Sequence, residues 1–241
     1  MQVLNLEKTT RKIDFSSDNL EGYYLTGPCN LEIRENAIVV NVGLKEIDVL
    51  EEPVKSIAPM KSSMLRDTVV RSEDAMLVVI LKSTANIGSV ILNENWKPAE
   101  EIFGDALKGV PLWRSPQIEL GEIRFNPGEI TKSENHCEIP TVRFKVIINL
   151  WYATADTHCA IHNKHSFIEY HTQIMGYGRM QKFKENSFDT LYEDIKLSEG
   201  NTHDLFCITT PDIQFVYPWH QYYADTDCIW LVTELHPVLP V

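Results

Sequence analysis

His162-Asn163-Lys164-His165-Ser166-Phe167-Ile168-Glu169-Tyr170-His171-Thr172-Gln173, running on to Gly176, decides the reading of this chain. It places three imidazoles and one carboxylate within ten residues. From Phe167 onward the residues alternate in character, which reads as a β-strand with successive side chains on opposite faces. Glu169, His171 and Gln173 then share one face, and Ile168, Tyr170 and Thr172 share the other. A polar, metal-competent face opposite a largely apolar one fits a barrel strand whose inward side lines a site.

Further along, Leu197-Ser198-Glu199-Gly200-Asn201-Thr202-His203 gives a Gly-centred turn and a His ahead of the apolar stretch Leu205-Phe206-Cys207-Ile208. Together the two segments resemble the cupin superfamily. In the first cupin motif a His is followed after three or four residues by Glu, and after six more by Gly; His165, Glu169 and Gly176 stand at those spacings. Gly200 and His203 meet the second motif, Pro-x-Gly-x-x-His, with Ser198 in place of Pro. Asn163 stands where the first His of the usual His-x-His pair falls, with His162 one place off, and Cys207 stands where an Asn is usual. The resemblance spans residues 140–236. It implies a double-stranded β-helix barrel that holds a divalent metal through His165, Glu169 and His203, with His162 or His171 as the fourth ligand. Strand geometry favours His171, which shares the Glu169 face.

Around this stretch the chain divides in two. All eight histidines lie at or after His136, and the first 135 residues contain none. The C-terminal half is therefore the chemical half. The expected fold is mainly β, with a metal-binding cupin barrel over residues 114–241 and a β-rich domain over residues 1–113; a degenerate second barrel is one reading of that domain, though the histidine motifs do not recur in it. In that first part, residues 1–20 suggest an arm or edge strand. Leu31–Arg34 and Ala37–Val42 suggest a hairpin, and Met76–Leu81 a buried strand with Ser89–Leu92 as its partner. Pro98–Leu107 carries a helix signature, with Pro early and acids in the first turn.

Composition narrows the function. The net charge is −12 and no basic cluster is present, which argues against nucleic-acid binding driven by phosphate neutralisation. No apolar run approaches the ~20 residues that span a bilayer, and the N-terminus lacks the pattern of a secretory signal. Five scattered cysteines without a Cys-x-x-Cys suggest reduced thiols and a cytoplasmic setting. Walker, Rossmann and nucleophile-elbow motifs are all missing.

Imidazole and carboxylate together suit divalent transition metals. The expectation is a metal-dependent enzyme acting on a small molecule, with Fe(II) favoured and Mn(II), Ni(II) or Zn(II) as alternatives, and with an oxygenase-type reaction ahead of isomerase, lyase or decarboxylase chemistry. His220 is a candidate acid or base, Gln173 a partner for substrate or bound water, and Trp219, Tyr222 and Arg179 candidate substrate contacts. Three other readings stay open: a structural zinc knot built from His158, Cys159, His162 and His165; a metal-free barrel using His220 or His171 as base; and a non-catalytic binding protein. The cupin resemblance also implies a homodimer.

Overall fold

The computed structural model describes residues 2–3, 10–134 and 136–238; residues 1 and 4–9 of the N-terminal arm, and Pro240 at the other end, lie outside them. Eight short strands build the first half. They are β1 (Leu20–Leu25), β2 (Cys29–Ile33), β3 (Ala37–Asn41), β4 (Ile47–Val49), β5 (Lys55–Ile57), β6 (Ser62–Leu65), β7 (Thr68–Ser72) and β8 (Met76–Leu81). They pair antiparallel in two sheets, ordered β2-β7-β4-β5 and β1-β8-β3-β6, with Gln2–Val3 extending the first and Thr10–Ile13 the second.

The period-two pattern of the strands explains this layering. On β3, Ala37 and Val39 enter a core shared with Leu31, Ile47, Val70, Met76 and Val78 between the two sheets. Ile38 and Val40, with Leu77 and Val79 of β8, point the other way into a second core. Each of the Val, Leu, Ile and Met side chains, fully buried, contributes about 1.5–3 kcal/mol.

The second half repeats this plan. Its barrel strands are β9 (Val142–Ala153), β10 (Thr157–His158), β11 (Ile168–Met175), β12 (Gly178–Phe183), β13 (Leu191–Leu197), β14 (Trp219–Ala224) and β15 (Cys228–Val238), and Ile118–Phe125 pairs with β9 outside them. One sheet runs β10-β14-β12-β13. The other runs β9-β15-β11 and continues through a bridge between Thr172 and Thr202. Replacing β2-β7-β4-β5 by β10-β14-β12-β13, and β1-β8-β3-β6 by β9-β15-β11-Thr202, maps one half onto the other. The chain is thus two jelly rolls. They pack sheet against sheet, because Phe144, Val146, Ile148 and Leu150 of β9 and Ile168 and Tyr170 of β11 share a core with Ile38, Val40, Leu77 and Val79.

Three local expectations change. The hairpin over Leu31–Arg34 and Ala37–Val42 is a crossing between sheets: β2 pairs with β7 and β3 with β8. All five residues of β3 are buried, so it needs cover on both faces, which a place between the two cores provides. Ser89–Leu92 lies in a 3-10 helix, Ile87–Leu92, since β1 and β3 already occupy both edges of β8. The helix after Pro98 runs only over Ala99–Phe103, with Glu100 and Glu101 in its first turn. Gly104, at φ 66°, turns the chain into a 3-10 segment, Gly104–Leu107. Two strand segments flanking this helix, Lys97–Pro98 and Leu112–Arg114, pair with each other, and the latter pairs with β9.

Candidate metal centre

The alternation on β11 continues through the packing. Ile168, Tyr170 and Ile174 face the core between the barrels, so Glu169, His171 and Gln173 face the interior of the C-terminal barrel. Directly before β11, the loop brings His162 and His165 over the same end. Across the barrel, β14 supplies His220. His162 and His220 are also bridged through their backbones, each N–H donating to the other's carbonyl, at 2.9 and 2.8 Å.

One ligand atom from each of His162, His165, Glu169 and His220 lies within 4.8 Å of all the others. The Nε2 atoms of His165 and His220 are 3.2 Å apart, and each is 3.5 Å from Glu169 Oε1. Glu169 is 6 % exposed and His220 0 %. Glu169 Oε1 is buried without a hydrogen-bond partner, an expensive state for a carboxylate oxygen that nothing binds.

The tautomers are fixed from behind. His220 Nδ1 donates to the Pro218 carbonyl at 2.9 Å, and His162 Nδ1 donates to the Ala160 carbonyl at 3.1 Å. Both rings therefore turn Nε2 toward the cluster, the way outer hydrogen bonds orient metal-ligating imidazoles. Burial lowers His162 to about 4, with the neighbouring His220 adding to the effect, and burial lowers His165 as well. Burial works to raise the Glu169 carboxyl, but the imidazoles of His165, His171 and His220 outweigh it and hold the group well below the usual carboxylate range. His162 and His165 lowered beside a carboxyl held ionised run in the direction that metal ligation requires.

The remaining candidates surround this group. His171 stacks on Tyr222, with ring centroids 3.6 Å apart, and its Nε2 lies 3.7 Å from Glu169 Oε2, behind the carboxylate. His203 is engaged elsewhere: its Nδ1 donates to the Asp204 carbonyl, and its Nε2 accepts from the His171 backbone N–H at 3.0 Å and from Tyr222 O–H at 2.8 Å. Gln173 donates to the Met175 carbonyl at 2.8 Å. Arg179 pairs with Asp225 and Asp194. Trp219 falls on the face of β14 opposite to His220 and Tyr222. His158 meets Gln221 and stacks between Phe188 and Tyr223, and Cys159 is not in the ligand group. Burial pushes the Cys159 thiol up to about 12 and Cys207 to about 11, so neither is a thiolate near neutral pH.

Two supporting residues were not among the expected site residues. Tyr217 O–H donates to the Phe167 carbonyl at 3.1 Å and accepts the Glu169 N–H at 2.9 Å, pinning the start of β11. Glu234 on β15 lies directly across from Glu169. Its position on an inward-facing strand, two residues before His236, was the available hint.

Gly176 closes β11 at φ 70°, where a Cβ would come within 2.2 Å of the Asp227 carbonyl oxygen. Gly200 turns at φ 83° against Met64. Two-sheet eight-stranded jelly rolls, with these two glycine turns beside an inward His/Glu cluster, settle the architecture. The fold is that of the cupins. No family model matches the chain, and no curated protein matches it. Among solved structures, a match is an RmlC-like cupin protein from Desulfovibrio desulfuricans, with 17% identity over 39% of this chain and 74% of that one, TM-score 0.27. A cupin 2 conserved barrel domain protein from Leptotrichia buccalis matches at 10% identity over 98% and 92%, TM-score 0.30. A structure of Bacillus subtilis oxalate decarboxylase, whose description concerns its Mn(II) centres, matches at 9% identity over 97% and 76%, TM-score 0.30.

Register shows which barrel holds the candidate ligands. Counting along the equivalent strands, Ala37, Val39, Thr68 and Val70 of the N-terminal barrel stand where Glu169, His171, His220 and Tyr222 stand in the C-terminal one. Ala37, Val39 and Val70 belong to a continuous apolar core. The interior of the histidine-free barrel is mainly apolar, with Asn41, Thr68 and Ser72 among its buried polar residues. Among the described residues, no helix is long and apolar enough to cross a membrane.

Proposed function

We propose that the C-terminal barrel binds one divalent transition metal through His162, His165, Glu169 and His220, and uses it in a reaction on a small molecule. The observation that carries this reading is the unpartnered Glu169 Oε1, facing imidazole Nε2 atoms 3.5 Å away. Separations of 3.2–3.5 Å suit atoms that share one ion at ~2.0–2.2 Å. Three imidazoles and a carboxylate suit Fe(II) or Mn(II) as well as Zn(II) and Ni(II).

Such an ion, when bound, acts as a Lewis acid toward substrate oxygens or supports redox chemistry, and we favour iron with an oxygenase-type reaction. The protein's own contribution is orientation and exclusion of water. Pro218 and Ala160 fix two imidazoles through their carbonyls, Tyr217 fixes the backbone of Glu169, and His171 backs the carboxylate. The buried setting strengthens each of these electrostatic contacts.

Elemental analysis of tag-free protein, with Glu169→Gln and His220→Ala as controls, tests the reading. About one equivalent of metal, lost in both variants while the circular dichroism spectrum holds, is expected. Metal retained by both variants, or none taken up on reconstitution, overturns it.

A further inference from the structure

The inward face of the C-terminal barrel carries a second group of polar residues that the metal cluster does not use. Arg114 sits opposite Trp151 across paired strands, with its guanidinium over the indole at 5.8 Å from the ring centroid. It makes no ion pair among the described residues, and its Nε is buried without a hydrogen-bond acceptor. Burial lowers its pKa, against the attraction of Glu234. A cation in that state is stabilised by an anion that brings acceptors with it.

The nearby carboxylate does not fill this role because it is already saturated. Glu234 Oε1 accepts from Asn149 Nδ2 at 2.9 Å, Oε2 accepts from His236 at 2.7 Å, and Gln117 donates to both oxygens at 3.4 and 3.2 Å. The bond from Asn149 Nδ2 also fixes the amide orientation. Its Oδ1 is then the free end, and it is buried, unpartnered, on a residue that is 0 % exposed. The barrel interior therefore presents one unused cationic donor on the Leu112–Arg114 strand and one unused amide acceptor on the neighbouring β9, on the sheet that carries Glu169.

We propose that Arg114 and Asn149 form the substrate-recognition wall of this barrel, and that the substrate class is a small organic acid. Its carboxylate binds the Arg114 guanidinium, and a hydroxyl or N–H elsewhere on the molecule donates to Asn149 Oδ1. Trp151 holds the guanidinium plane, and Glu234, held by its three partners, forms no ion pair with Arg114 and leaves the guanidinium open to the substrate's carboxylate. This rests on the reading that the barrel acts on a small molecule, and it names the class.

The test is calorimetric titration of the full-length protein, metal-loaded and metal-free, with acetate, glycolate, succinate and inorganic phosphate as probes. Arg114→Met keeps a long side chain over Trp151 without the charge, and Asn149→Leu removes the amide. Saturable binding of at least one carboxylate probe is expected, weakened about 10- to 100-fold in Arg114→Met, with thermal midpoint and metal content as in the parent protein. Glycolate should lose more than acetate in Asn149→Leu. Absence of binding by all three carboxylates, binding of phosphate alone, or equal affinity in Arg114→Met overturns the proposal. Metal uptake without carboxylate binding refutes this inference alone, and carboxylate binding in a protein that never takes up metal refutes the metal reading alone.

Discussion

Asn41 and Gln173 hold the same backbone position in the two barrels. Asn41 N–H donates to the Lys61 carbonyl and its own carbonyl accepts from Met60 N–H, while Gln173 N–H donates to the Asn201 carbonyl and its carbonyl accepts from Gly200 N–H, all at 2.9–3.0 Å. Both Met60 and Gly200 are at positive φ. The repeat even meets itself: Ser62 of β6 hydrogen-bonds Thr202, its counterpart, at 2.6 Å.

Because only one copy holds the cluster, mutations in the other should separate stability from metal binding. Leu31→Ala opens a cavity at a residue that is 0 % exposed, and should lower unfolding free energy by about 2–4 kcal/mol. Denaturant titration should show this with metal per chain unchanged. Loss of metal at full folding would contradict it.

His203 and His220 should behave differently. His203→Ala leaves the His171 N–H and the Tyr222 O–H without their acceptor, which costs about 1–3 kcal/mol per buried donor. The variant should melt earlier and still bind metal. His220→Ala should melt near the parent apoprotein and fail to bind. Metal lost in His203→Ala at a temperature where it stays folded would exchange the two roles.

Acid should weaken the metal-free protein in a defined window. Burial depresses His203 to about 3 and His162 to about 4, against an ordinary 6.5. Below 6.5 the unfolded chain takes up protons that the folded state still refuses, so stability is complete above 6.5 and falls as pH drops toward 4. Urea midpoints at pH 7.5 and 5 should differ in that direction, by less in His203→Gln. Midpoints that rise on acidification count against buried neutral imidazoles.

Gly176→Ala should be severe, since the new Cβ meets the Asp227 carbonyl oxygen at a positive-φ position. We expect a large fall in thermal midpoint or insoluble expression. A midpoint within a degree or two of the parent would show that the turn relaxes freely.

Several parts of this arrangement were legible in the sequence. The spacing of His165, Glu169 and Gly176, and the two-residue alternation of β11, are local facts, and the barrel keeps both. His220 was less legible as a member of the cluster, because the second-motif spacing points to His203. What separates the two is the hydrogen bonding of each ring, and spacing does not carry that. The crossing between β2 and β3 reads as a hairpin for a similar reason: two short apolar runs joined by Arg34-Glu35-Asn36 look alike whether the strands pair or part.

The sequence by itself determined which half holds the candidate ligands, which face of β11 Glu169 occupies, and where glycine must turn the chain. These depend on side-chain chemistry, strand period and steric limits at single residues. Only the tertiary structure decided that His220 meets His165 from 55 positions away, that Glu234 lies beside Glu169, and that a histidine-free half repeats the same barrel. Those facts depend on strand register and sheet order, which arise from packing between distant segments and leave no periodic trace in either one.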